Sequence, residues 1–302
     1  MTDKTTTARK WGAFARGRGE RPASNWLEAP LVQRNYVHPA FHGRETELNW
    51  LDWVAGRFFQ EPVERALSLG CGDGGLERQA AELGIAERLV GLDLSPLAAA
   101  VARRHAADAG LGGRIAYAVA DLDRLALQPR TCDAVLAAMS LHHVKALERT
   151  LDQVHAALRP DGLLVLNEYV GPSQLQWSIR QLALANLVLA MMPLRLRRGV
   201  ASAGIKWAVW RPPLRKLKRD DPSEAIRSAE IPGLVAQRFE ILRRIDYGGA
   251  IFLPLLQGIA GNLDGARVLD RGIVRLVARL EQTGVRRGWL QSDFSAIVAR
   301  RS

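Results

Sequence analysis

Acidic residues are missing from one long stretch of this 302-residue chain. Between Val170 and Arg219 there is not one Asp or Glu, while Arg180, Arg195, Arg197, Arg198, Lys206, Arg211, Arg215, Lys216, Lys218 and Arg219 all carry positive charge. Residues 1–24 add six bases against two acids, so the net charge of +11 resides in these two segments and the remainder is slightly acidic. A charge confined to one segment and one arm argues for a local anionic partner and against a fold that coats nucleic acid. Cysteine is scarce too. Cys71 and Cys132 are the only two, which excludes a disulfide framework and suits a reducing compartment. Met1-Thr-Asp-Lys4 lacks the apolar core of a secretion signal, and no apolar run approaches the roughly 20 residues that span a bilayer. The expectation is a cytoplasmic protein. With 48% hydrophobic residues the chain has enough apolar material for a sizeable core.

What is present is organised around Ala66-Leu-Ser-Leu-Gly-Cys-Gly-Asp-Gly-Gly-Leu-Glu77. A short apolar run reads as a buried strand, four glycines follow at 70, 72, 74 and 75, and residues 76–83 have helical spacing. The glycines permit a tight turn and let a ligand touch backbone, and the helix start offers free N–H groups. Leu89-Val-Gly-Leu-Asp93 is a second apolar strand ending in a carboxylate placed to accept from ribose hydroxyls. Taken alone, Gly70, Gly72 and Gly75 also fit the G-x-G-x-x-G of dinucleotide enzymes.

The rest of the chain alternates. Residues 1–24 read as a disordered basic arm and Glu45–Phe59 as an amphipathic helix. Ser95-Pro96 starts a helix, Arg114–Val119 is a third strand with Asp121 just beyond it, and Cys132–Ala138 is a fourth. A helix over 145–158 and a turn at 158–162 precede a fifth strand, Leu163–Tyr169. Strands alternating with helices imply a doubly wound, mostly parallel sheet. The predicted division is an arm (1–24), a nucleotide-binding core with an N-terminal helical segment (25–172), a basic helical cap insertion (173–232) and the end of the core sheet with a further helical insertion (233–302).

Five segments in order carry a resemblance: Leu67–Gly75, Val90–Ser95, Val119-Ala-Asp-Leu122, Cys132–Val144 and Leu158–Glu168. Together they resemble the class I S-adenosylmethionine-dependent methyltransferases, particularly the small-molecule group of the quinone-biosynthesis enzymes. The resemblance implies a seven-stranded, mostly parallel Rossmann-like α/β sheet with a final antiparallel hairpin, formed here by strands over 238–247 and 293–299. It also implies S-adenosylmethionine as cofactor. Gly70, Cys71 and Gly72 would approach its methionine and adenosine portions, Asp93 its ribose, and Leu94, Asp121 and Leu122 its adenine side, with Met139 a further cofactor-binding residue. The family usually places an acid two residues before the first glycine, and this chain has Ser68.

For the chemistry, His142 and His143 end strand four, where ligands of such sheets bind, and an imidazole is a suitable base for a hydroxyl acceptor. Glu168 and Tyr169 are further candidates. Local spacing offers no metal set, so a metal-free site is expected. The apolar run Leu182–Leu194 followed by Arg195, Arg197 and Arg198 reads as a lid over the acceptor, with Trp177 lining its pocket and the arginines gripping an anionic group or resting on an anionic membrane. The expected function is methylation, at oxygen, of a small or lipid-linked acceptor. An RNA methyltransferase, a non-catalytic cofactor-binding partner and an NAD-dependent dehydrogenase are the competing readings.

Overall fold

The computed structural model describes residues 3–17 and 23–301. Seven strands form one sheet: β1 (Val63–Leu69), β2 (Ala86–Asp93), β3 (Ile115–Val119), β4 (Cys132–Ala138), β5 (Leu158–Tyr169), β6 (Glu240–Gly248) and β7 (Phe294–Arg300). Their order is β3-β2-β1-β4-β5-β7-β6. The first five run parallel, and β7 runs antiparallel to both β5 and β6. This is the doubly wound sheet with its terminal hairpin.

Twelve helices surround it: α1 (Asp3–Arg16), α2 (Pro30–Val32), α3 (His38–His42), α4 (Trp50–Phe58), α5 (Gly75–Glu82), α6 (Pro96–Asp108), α7 (Leu147–Ala157), α8 (Ile179–Met191), α9 (Leu214–Asp220), α10 (Ile231–Ala236), α11 (Phe252–Leu256) and α12 (Val268–Arg286). Side chains alternate across a strand, and β4 shows it. Ala134 and Leu136 face the layer holding α4, α5 and α6, whereas Val135 and Ala137 face the layer holding α7 and α10. A third cluster joins the segment from Trp26 to Phe41, α8, α11 and α12 around the buried rings of Trp26, Trp177, Phe252 and Phe294. It gives the insertion a core of its own, contiguous with the ends of β5, β6 and β7.

Two sequence expectations are corrected. The first helix of the core begins at Trp50, not Glu45, because Asn49 stops it: Oδ1 accepts from Leu51 N at 2.7 Å, and Asp52 Oδ2 accepts in return from Asn49 N at 2.8 Å. The arm expected to be disordered contains α1, while residues 1, 2 and 18–22 of that arm lie outside the described residues. Composition misleads here because the helix is held by tertiary contacts. Ala15 is buried, and Gly12 packs so closely on α6 that a Cβ there would lie 2.5 Å from Ser95 Oγ.

Candidate active site

The site lies at the carboxyl ends of β1, β2, β4 and β5. After Leu69 the chain reverses through Gly70 (φ 72°) and Gly72 (φ 54°), left-handed conformations that glycine adopts without strain. A Cβ on Gly70 would also strike Ser140 at 2.4 Å, whereas the space over Gly72 is open for a ligand. The loop is tied to β2 twice: Gly70 N and Cys71 N both donate to Leu92 O, at 2.7 and 2.9 Å. Asp93 reinforces the tie. Its Oδ2 accepts from Gly72 N at 2.9 Å and its Oδ1 from Ser95 N at 2.8 Å. Burial raises the Asp93 pKa, with these two amides opposing the shift. Asp93 therefore joins glycine loop, strand and α6 start, in addition to the ribose contact that the resemblance implies.

Beneath the loop lie buried polar groups with no hydrogen-bond partner: Ser68 Oγ, both carboxyl oxygens of Glu77 and the Tyr117 hydroxyl. Glu77 is fully buried, and burial pushes its carboxyl up to about 7. Burial, together with the charges of Glu77 and Asp93, also pushes the Cys71 thiol well above its ordinary range, so it is no nucleophile. Leu94 and Leu122 are half-buried, and Met139 is partly exposed in a left-handed conformation (φ 54°) that turns β4 toward the histidines. Asp121 is engaged by α1, whose Lys4 Nζ lies 2.5 Å from both its oxygens.

Of the two histidines, His142 holds the more elaborately bonded position. Glu168, fully buried, accepts at Oε1 from Ser140 N and Leu141 N, both at 2.7 Å, and at Oε2 from His142 Nδ1 at 2.8 Å. Burial disfavours a charged imidazole, but Glu168 outweighs it and the His142 pKa is raised. This carboxylate fixes the tautomer and the ring, leaving Nε2 free to act. His143 lies beside it, ring centroids 4.2 Å apart and planes tilted by 43°, and bonds Ser223 Oγ through Nδ1 at 3.2 Å. Burial, then the neighbouring His142, hold its pKa well below the usual histidine range. Sequence reasoning missed what encloses the pair. Asp221, buried in the insertion, accepts from Lys10 Nζ (2.9 Å), Trp11 Nε1 (3.1 Å) and Ser223 Oγ (2.7 Å), and Trp11 meets the His143 ring edge-on at 5.0 Å. No local spacing signals a partnership across two hundred residues.

The substrate-side residues are scattered. Trp177 is buried, and its carbonyl accepts from Arg211 Nε at 2.6 Å. It borders a cleft of about 280 Å³ with Lys206, Val209, Trp210 and Pro254, away from the histidines. Arg195 grips the buried Asp270 bidentately, one bond being 3.1 Å, and Arg197 donates to Met192 O and Ala190 O, the orphan carbonyls at the end of α8. Arg198 is exposed and pairs through its backbone with Ile205. Thus the structure employs Arg195 and Arg197 internally, where the sequence suggested an anion grip.

Comparison with known proteins agrees with this geometry. Residues 67–166 match the family model described as a methyltransferase domain. The mitochondrial ubiquinone biosynthesis O-methyltransferase of Schizosaccharomyces pombe is 30% identical over 159 residues, 45% of this chain and 57% of that protein. The ubiquinone biosynthesis O-methyltransferase of Methylocella silvestris is 37% identical over 110 residues, 36% of this chain and 41% of that protein. The chain thus aligns with only about half the length of these relatives. In fold, it resembles geranyl diphosphate methyltransferase in complex with GPP and sinefungin, with TM-score 0.56, 16% identity and full coverage of both chains. Residues 67–166 thus carry a methyltransferase domain, and in sequence motifs and fold the chain is similar to the class I S-adenosylmethionine-dependent methyltransferases. It is similar to the quinone-biosynthesis group, and its cofactor is S-adenosylmethionine.

Proposed function

We propose that this chain methylates an oxygen of a small, lipid-linked acceptor that it meets at an anionic membrane surface. The observation that carries the methyl-transfer part is the His142–Glu168 pair at the end of β4, beside the glycine loop. The loop fits the cofactor, with an open cradle over Gly72 and a buried carboxylate at Asp93. When bound, S-adenosylmethionine supplies a methyl group already activated on a sulfonium. What remains for the protein is to align the acceptor and take away its hydroxyl proton. His142 Nε2 is the atom placed to receive that proton. Glu168 stabilises the resulting imidazolium, and its carboxylate is held in place by two backbone amides.

The membrane part rests on α8. Its exposed positions Arg180, Ala183, Leu187, Ala190 and Met191 recur at helical spacing, and Leu194 extends the stripe. Leu187, Met191 and Leu194 are each more than half exposed. Trp207 (68% exposed) and Trp210 (78% exposed) flank the helix, because Asn186 bonds both N and O of Val209 between them. Arg180, Arg215, Lys216 and Lys218 are exposed and make no ion pair among the described residues. An apolar stripe edged by tryptophans and unpaired bases is the composition of an interfacial helix. No described helix is long and apolar enough to cross a membrane. The RNA reading rests on charge, and Arg195, Arg197, Lys206 and Arg211 are already committed to internal partners.

The test uses labelled S-adenosylmethionine, a panel of phenolic and quinol lipids, and vesicles with and without anionic phosphatidylglycerol. Labelled ether product, with turnover lowered roughly 10²–10⁴-fold in His142→Gln, is expected. Retained turnover in that variant would refute the role of His142. Equal binding of the parent and a Trp207→Ser/Trp210→Ser variant to anionic vesicles would refute the docking face.

A further inference from the structure

One ligand-type atom from each of His142, His143 and Glu224 lies within 4.8 Å of the other two. We propose that these three residues bind one divalent transition-metal ion beside the acceptor position, an inference that deepens the methyl-transfer reading above and rests on it. Two imidazoles and a carboxylate form a donor set suited to Zn²⁺, Mn²⁺ or Fe²⁺, leaving coordination positions open for an oxygen ligand.

Hydrogen bonding prepares both rings. His142 donates its Nδ1–H to Glu168 Oε2, a carboxylate oxygen that can only accept when ionised, so neutral His142 presents a lone pair at Nε2. Ser223 gives its hydroxyl proton to Asp221 Oδ1 at 2.7 Å, so its oxygen accepts from His143 Nδ1. His143 therefore presents a lone pair at Nε2 as well, and that nitrogen is buried without a hydrogen-bond partner. A buried polar atom in that state is costly unless something occupies it. A carboxylate or hydroxyl behind each ligating imidazole is the arrangement that orients metal-bound histidines.

The remaining ligand fits the same account. Glu224 approaches Lys10 Nζ no nearer than 3.8 Å, while Lys10 makes its close contact, 2.9 Å, with Asp221. Asp221 and Glu168 add negative charge around the pair, and Lys10 is the neighbouring cation. Bonds of about 2.1 Å require ligand atoms roughly 3.4 Å apart in a tetrahedral site, against a present separation of at most 4.8 Å. An ion there would orient the acceptor oxygen and lower the pKa of its hydroxyl, the proton leaving to solvent. His142 would then act as ligand in place of proton acceptor.

The experiment titrates Co²⁺, as an optical probe, into the metal-stripped full chain. Expected are one ion per chain with visible d–d absorption, competition by Zn²⁺, and affinity at least tenfold weaker in Glu224→Gln and His143→Gln, Glu224→Asp recovering part of it. Co²⁺-shifted exchangeable imidazole resonances, one for each Nδ1–H, test the site in the unsubstituted protein, so a variant that folds poorly cannot obscure the result. Absence of binding, unchanged affinity in both variants, or absence of the two resonances would overturn the site. If the parent binds no ion yet methylates a hydroxyl, the function stands with His142 as proton acceptor. If the ion binds at these residues and no hydroxyl acceptor is methylated, the site stands and the function falls.

Discussion

Lys4 and Asp121 join the first helix to the turn that follows β3. Lys4 Nζ touches both carboxylate oxygens of Asp121 and lies 2.8 Å from Asp123 Oδ2. Two turns later, Lys10 and Trp11 of the same helix reach Asp221 of the insertion. Helix α1 thus spans from Asp121, just beyond β3, to Asp221 of the insertion beside the histidine pair, resting on α6 through Gly12.

Truncation of residues 2–16 is therefore expected to speed both association and dissociation of S-adenosylmethionine severalfold, as removal of a cover does. Stopped-flow fluorescence measures both constants. Lys4→Met should speed association more than dissociation, since it frees Asp121 without removing the helix. Unchanged rates in both proteins would make α1 a bystander.

Asp93 serves loop and ligand together. Asp93→Ala should weaken S-adenosylmethionine binding by at least about 1.5–3 kcal/mol, the range for hydrogen bonds to a charged group. Release of Gly72 N and Ser95 N adds to the loss. Isothermal titration of a folded variant decides it: parental affinity would show that Asp93 only fastens the loop.

Glu77 predicts a pH-dependent stability. Its folded pKa of about 7 lies above the ordinary 4.5, so the folded protein keeps a proton that the unfolded chain releases. The corresponding stability is fully present below pH 4.5 and is lost as pH rises through 7. Glu77→Gln, which cannot ionise, should match the parent near pH 4 and exceed it by about 3 kcal/mol at pH 8.5. Chemical denaturation at the two pH values checks this. A gap that stays constant would mean Glu77 does not change its protonation across the range.

Arg195 is expected to affect stability and not acceptor binding. It neutralises Asp270, which is fully buried and also accepts from Asp264 N at 3.0 Å. Burial alone would raise the Asp270 pKa, yet Arg195 holds it below the usual carboxylate range. Arg195→Gln should lower the Tm, by less than the loss of a wholly buried pair would, because the guanidinium is partly exposed. The acceptor's Michaelis constant should not move. A raised constant with unchanged Tm would return Arg195 to the acceptor site.

The fold was legible wherever the signal is local. Buried parallel strands read as apolar runs, and Ser95-Pro96 marks the start of α6, where Ser95 Oγ accepts from Ala98 N at 3.3 Å. The glycine loop and Asp93 are separated by one strand–helix unit, so their spacing survives in the sequence. Helix α1 was not legible, because Thr5-Thr-Thr7 and Gly12 disfavour a helix until Asp121 and Asp221 supply partners far along the chain. The same holds for the site. His142 could be placed from its position after β4, but its pairing with Glu168 depends on β4–β5 register, and Glu224 is brought in only by the path of the insertion.

The antiparallel course of β7 separates the two ends of the described chain. Tyr169 pairs with Phe294 at the carboxyl end of β5, next to Glu168 and the histidines, whereas Leu163 pairs with Arg300 at the opposite edge. A fluorophore, affinity handle or fused domain joined beyond Arg301 therefore starts from the rim remote from the chemistry. The same addition ahead of α1 is anchored beside Lys4 and Asp121, near the carboxyl end of β3. Assays of tagged protein should thus be sensitive to which end carries the tag.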